Sequence, residues 1–193
     1  MNRGSYSTEQ MIALHGFFAE GAAVGESLLA ELSGCATEVE VAEVRCTVLD
    51  EFGDRGLRAG DDLVASVMGR IEGGFAGSLC LALEPEDALV WSTTGDRPDP
   101  LAAFLALGRG LLEGVATALQ EVLRSRVALV DARLREDSEP CLLAGTHAPA
   151  DTLVVSARLR IEARDETLGG VVHLLLEPKS FGRLLASLSA PIH

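Results

Sequence analysis

Residues 169–185 read GGVVHLLLEPKSFGRLL, and residues 75–91 read FAGSLCLALEPEDALVW. Each stretch holds a glycine, an apolar run, the tripeptide Leu-Glu-Pro and then a pattern that suits a short helix. The tripeptide is Leu83-Glu84-Pro85 in one and Leu176-Glu177-Pro178 in the other, 93 residues further on. Proline is favoured in the first turn of a helix, where its missing N–H has no partner to lose. Each tripeptide therefore marks a corner at which a strand ends and a helix begins.

The same displacement of 93 superimposes Leu14 on Leu107, Gly77 on Gly170, and Glu20-Gly21-x-Ala23 on Glu113-Gly114-x-Ala116. Arg70-Ile71-Glu72 meets Arg160-Ile161-Glu162 at a displacement of 90, which a second hairpin longer by three residues accounts for. Several matches at one displacement, in one order, are the signature of an internal repeat. Residues 8–33 and 99–125 carry apolar positions at three- and four-residue spacing and read as long amphipathic helices. Both helices hold small residues at mid-length, Gly21-Ala22-Ala23 in one and Gly108, Gly110 and Gly114 in the other, which lowers helix propensity but lets another backbone come close. Alternating runs follow each helix: TEVEVAEVRCTVL and DLVASVMGRIE in one half, RVALVDARLR and TLVVSARLRIE in the other. Glycine-marked turns then lead into the runs that end in Leu-Glu-Pro, so the last two strands of each half form a hairpin.

The halves span about 8–95 and 99–190, joined by the turn-rich STTGDRPDP. A half of about 90 residues buries little core alone. The expectation is one α+β domain over 1–193, two pseudo-symmetric α-β-β-β-α halves sharing one mainly antiparallel sheet with the long helices on one face.

Composition agrees with a folded core: 48% of the 193 residues are hydrophobic and 23% are charged. A formal charge of -13 argues against nucleic acid and anionic membrane surfaces, both of which are met by basic patches. No uninterrupted apolar run approaches the length that spans a bilayer, and the polar opening MNRGSYSTEQ lacks the pattern of a signal peptide. No membrane insertion and a cytoplasmic location are therefore expected. Cys35, Cys46, Cys80 and Cys141 lie far apart beside apolar stretches and read as free, buried thiols. His15, His147, His173 and His193 lack metal-ligand spacing, and no cofactor is expected. His173, inside VVHLLL, reads as a strand residue with one face exposed.

A tandem of long glycine-containing helix, β-meander and short helix resembles the CheC, CheX and FliY superfamily of chemotaxis proteins, which includes the middle domain of the flagellar switch protein FliM. LGRGLLEGVATALQEVL is similar to the family's second long helix, and LVVSARLRIEARDETLGGVVHLLLEPKSFGRLLASL to its final hairpin and helix. The resemblance implies a CheC-like fold and a role in bacterial taxis or motility. Enzymatic members dephosphorylate a receiver protein with a Glu and, three residues on, an Asn on each long helix. The chemistry suits that pair, because phosphoryl transfer to water needs positioning and charge stabilisation above all. Here Ala106 and Arg109 occupy those places in the second helix, and Ala13 and Gly16 in the first, with His15 and Phe18 or Gly16 and Ala19 as alternative registers. Asn2 is the only asparagine in the chain and lies outside both helices. The family's Glu-x-x-Asn pair is thus missing in every register.

What remains is a set of candidates for binding. Arg109, standing where the family places its amide, would present a cation to an acidic phosphorylation pocket; the plainer alternative is an exposed helix arginine paired with a carboxylate. Glu20 and Glu113 correspond across the halves and would contact a partner or stay solvated. Glu113 or Gln120 is a weak catalytic alternative, with Gln120 orienting a water in place of the amide. The expected partners are a receiver-domain protein, a flagellar or taxis component, or a second copy of the chain, met at the long helices around Glu20, Arg109 and Glu113 or at an edge strand of the sheet. A receiver phosphatase with altered catalytic residues is the rival expectation.

Overall fold

The computed structural model describes residues 6–57, 62–93 and 99–189. Asn2, His193 and most of the loop between the halves lie outside them. Helix α1 (Thr8–Ser33) starts at a capping box, in which Ser7 Oγ accepts from Gln10 N–H and Gln10 Oε1 accepts from Ser7 N–H. It stops at Gly34, whose φ of 69° is one that glycine adopts without strain. Strand β1 (Thr37–Val48) follows, then a 3-10 turn (Leu49–Glu51) and α2 (Phe52–Arg55), the hairpin β2 (Leu63–Gly73) and β3 (Gly77–Leu83), and α3 (Pro85–Ser92). The second half repeats this order as α4 (Pro100–Leu123), β4 (Val127–Ser138), α5 (Glu139–Ala144), β5 (Leu153–Ala163), β6 (Glu166–Leu176) and α6 (Pro178–Leu188). Pro85 and Pro178 open α3 and α6, as the two corner tripeptides require. The short helical segments between the first and second strands of each half go beyond the expected α-β-β-β-α plan.

One six-stranded sheet runs in the order β1-β5-β6-β3-β2-β4, and every pair is antiparallel. The expected meander is corrected here. β1 leaves its own half to pair with β5, while β4 crosses to pair with β2. The two crossings share one register, Val39 opposite Ile161 and Leu129 opposite Ile71, a displacement of 90 on both sides. The extra length of the second half goes into β6, which has 11 residues where β3 has 7.

Helices α1, α3, α4 and α6 bury one face of the sheet around Leu14, Phe17, Trp91, Leu111, Leu119 and Leu174. By length and composition α4 could cross a membrane, but 61% of its apolar window is buried inside the fold. The opposite face is covered in part by α2 and α5, over a smaller cluster that includes Phe52, Met68, Cys80 and Leu143.

Candidate functional site: the paired long helices

The two long helices pack antiparallel: a Cβ on Gly21 would meet Val115 and one on Gly25 would meet Leu111, while one on Gly110 would meet Leu32. At the crossing, Gly114 lies against Gly21 and Gly25, so the backbones touch with no side chain between them. This close approach leaves an open groove of about 470 Å³ between the C-terminal half of α1 and the N-terminal half of α4. Leu28, Leu32, Leu105 and Ala106 form its apolar walls, and Glu31, Arg109 and Glu113 are its charged lining.

Arg109 Nε donates to Glu113 Oε1 at 2.7 Å, one helical turn along α4. The side chains are 56% and 38% exposed, so the pair is a screened surface contact of about 0.3–0.5 kcal/mol. It uses one N–H of a guanidinium that has four more donors for a carboxylate or phosphoryl oxygen. Ala106 and Arg109 share this groove.

Glu20 is exposed beside the crossing, and its counterpart of Arg109 is Gly16, so among the described residues it makes no ion pair. The two corresponding carboxylates therefore differ electrostatically. Gln120 lies outside the groove, and its Oε1 accepts from Val127 N–H at 3.3 Å, closing the start of β4. In the first helix, Phe18 is buried, His15 bonds the Val41 carbonyl, and Ala19 is exposed. None of these supplies the missing pair.

Two expectations are corrected. His173 is fully buried, because Phe52 of α2 and Glu139 of α5 cover it on the face that was expected to be open. Its Nδ1 lies 2.9 Å from Ser156 Oγ and its Nε2 3.4 Å from Glu139 Oε2. The residue types are those of a nucleophile, a base and an orienting acid. Exposures of 2%, 0% and 3% for Ser156, His173 and Glu139 shut out any substrate, so the set is structural. The sequence signals were a lone histidine in an apolar run and a Glu-Pro helix start. The second correction concerns the thiols: Cys80 is buried, Cys35 and Cys46 are half-buried, and Cys141 is exposed. Among the described residues, no group of three or more His, Cys, Asp or Glu side chains is placed to hold a metal ion.

No protein-family model and no curated protein matches the sequence. Solved structures do match. FliY of Thermotoga maritima superimposes with a TM-score of 0.74 at 11% identity, over 96% of this chain and 98% of that one. The middle domain of FliM from H. pylori gives 0.64 at 12% identity, over 94% and 99%. A chain of the FliG–FliM complex from H. pylori gives 0.61 at 12% identity, over 94% and 100%. The common feature is the fold: one antiparallel six-stranded sheet carrying two paired long helices, as in FliY.

Proposed function

We propose that this protein is a non-enzymatic binding component of bacterial chemotaxis or motility signalling in the cytoplasm. It engages a receiver-domain protein or a flagellar or taxis component through the paired long helices. One observation carries this reading. The α1/α4 groove has Ala106 and Arg109 where the phosphatases of the CheC type carry Glu and Asn, so it offers an apolar trough edged by Arg109, Glu113 and Glu31, with no amide to orient water. FliY and FliM, which share the fold, are flagellar proteins, and FliM is seen in complex with FliG. Arg109, Glu113 and Glu20 are the polar contacts of this surface. Arg109 meets an acidic or phosphorylated group on the partner, while the apolar wall supplies the buried area.

The test is direct binding of purified receiver-domain and flagellar switch proteins from the same organism, together with the lifetime of the phosphoryl group on the receiver. Saturable binding that falls at least roughly tenfold in the Leu105→Glu, Arg109→Glu variant, with an unchanged or lengthened lifetime, supports the proposal. A shortened lifetime lost in Glu113→Gln would replace it with the phosphatase reading. Failure of both partner classes to bind would overturn it.

A further inference from the structure

The two edges of the sheet are built alike and finished differently. β1 is shielded on its outer side by α1: Glu26 Oε1 accepts from Val39 N–H at 2.7 Å, and His15 Nε2 donates to the Val41 carbonyl at 2.9 Å. The residues 93 further on are Leu119 and Gly108, both buried and neither able to cap a backbone group. Leu129 stands in the register position of Val39, so its N–H also points away from the sheet. Beyond the irregularity at Asp131, alternation turns Leu134 and Glu136 outward, consistent with Ser66 Oγ donating inward to the Arg135 carbonyl. Among the described residues, the one side chain that closes this edge is Gln120, at Val127. Unpaired edge groups of this kind are a template for another strand.

Charge differs between the edges as well. On β1, Glu43 and Arg45 pair at 2.7 Å, and Arg158 stands 3.6 Å from Glu43. The matching positions on β4 are Arg133 and Arg135, two arginines on one strand face about 7 Å apart. Among the described residues neither makes an ion pair. Of the acids in the same cleft, Asp131 binds Arg70 at 2.9 Å and Asp137 accepts from Ser138 N–H, while Glu136 is exposed beside Arg135. Arg70, Arg133 and Arg135 line an open cleft of about 630 Å³ below α5, on the side of the sheet away from the long helices. Arg133 and Arg135 are both exposed and stand at the spacing of every second strand residue, so carboxylates on an added strand can meet them.

We propose that β4 is a docking edge for an extended peptide segment of a partner protein with acidic side chains at alternate positions. The segment adds as a seventh strand. Its backbone bonds to the outward groups at Leu129, Leu134 and Glu136, and its carboxylates reach Arg133 and Arg135, whose spacing matches every second residue of a strand. The arginine face of β4 lines the cleft on the other side of the sheet, and the helix groove meets β4 at Ala132.

The probe is a fluorescently labelled, end-blocked octapeptide of alternating Glu and Val, titrated onto the full chain and compared with its Gln-for-Glu counterpart. The expected result is saturable binding, roughly tenfold weaker for the Gln peptide and for Arg133→Glu with Arg135→Glu, and unchanged in Arg45→Glu. Amide exchange should slow at Leu129, Leu134 and Glu136. Because the substituted side chains are exposed, circular dichroism should confirm that the variants stay folded. Equal binding of both peptides, equal binding by the double variant, or no binding would overturn the proposal. So would self-association that the double variant abolishes, since the edge would then belong to a second copy.

Discussion

Gly114 of α4 packs so closely on Gly25 of α1 that a Cβ on Gly114 would stand 2.5 Å from the Gly25 nitrogen and 2.7 Å from its Cα. The obstacle is backbone, which cannot rotate aside, so any side chain here forces the helices apart. Gly114→Ala is expected to cost about 2–3 kcal/mol in urea unfolding. Gly16 has nothing within 4 Å of its would-be Cβ, and Gly16→Ala should stabilise α1 by about 0.5–1 kcal/mol.

The buried Glu139 and His173 side chains give a second prediction. Leaving a buried polar group without its partner costs about 1–3 kcal/mol, whereas replacing both by apolar groups of similar shape is far milder. His173→Leu should therefore destabilise strongly, and adding Glu139→Leu should restore part of the loss. A double-mutant cycle by denaturant unfolding reads the coupling.

Thiol chemistry should follow burial. Burial pushes the Cys80 thiol well up, with the nearby Glu139 adding to it, and burial pushes Cys46 up to about 11. At pH 8, a thiol reagent followed by mass spectrometry should label the exposed Cys141 first and leave Cys80 unmodified. Both raised values mean that the unfolded chain releases these protons at lower pH than the folded chain does. Stability should then fall as pH rises from 9 to 11, by about 2 kcal/mol from Cys46 alone.

If the helix groove binds a receiver protein, then Ala106→Glu with Arg109→Asn installs the pair that enzymatic relatives of the fold use. The phosphoryl lifetime on the bound receiver should shorten by about tenfold or more. An unchanged lifetime with binding intact would show that the second long helix does not present these positions to the phosphoryl group.

Stripping the guard from the other edge should expose it. Glu26→Ala and His15→Ala each remove one bond to β1, at about 1 kcal/mol apiece. Together they should produce concentration-dependent association in sedimentation velocity.

Much of this was legible beforehand because it is local. The extent of α1 follows from apolar positions at three- and four-residue spacing, and the corner helices from Pro85 and Pro178. The lack of Glu-x-x-Asn needs no structure, since no asparagine lies in either long helix. Other readings failed where the answer depended on distant chain. His173 looked half-exposed because nothing near it in sequence announces Phe52 and Glu139. Cys141 looked buried because its apolar neighbours Leu142 and Leu143 turn inward on α5 while it turns out. The guarding of β1 by Glu26 and His15 was invisible for the same reason, since the signal lies in two helix side chains whose bonds exist only once the strand is beside them.

Alternating apolar residues and the repeat thus determine which segments are strands, which face each buries, and that two halves share one plan. They do not determine neighbours. Period-two alternation specifies a face and leaves the adjoining strand open, so TEVEVAEV would satisfy its own half's hairpin as well as the other's. Packing decides between them. The glycine contact of α1 with α4 brings the helices together at their backbones, and each first strand pairs with the hairpin of the opposite half. That exchange makes β1 and β4 the two edges, and so sets one guarded edge and one open edge lined by arginines.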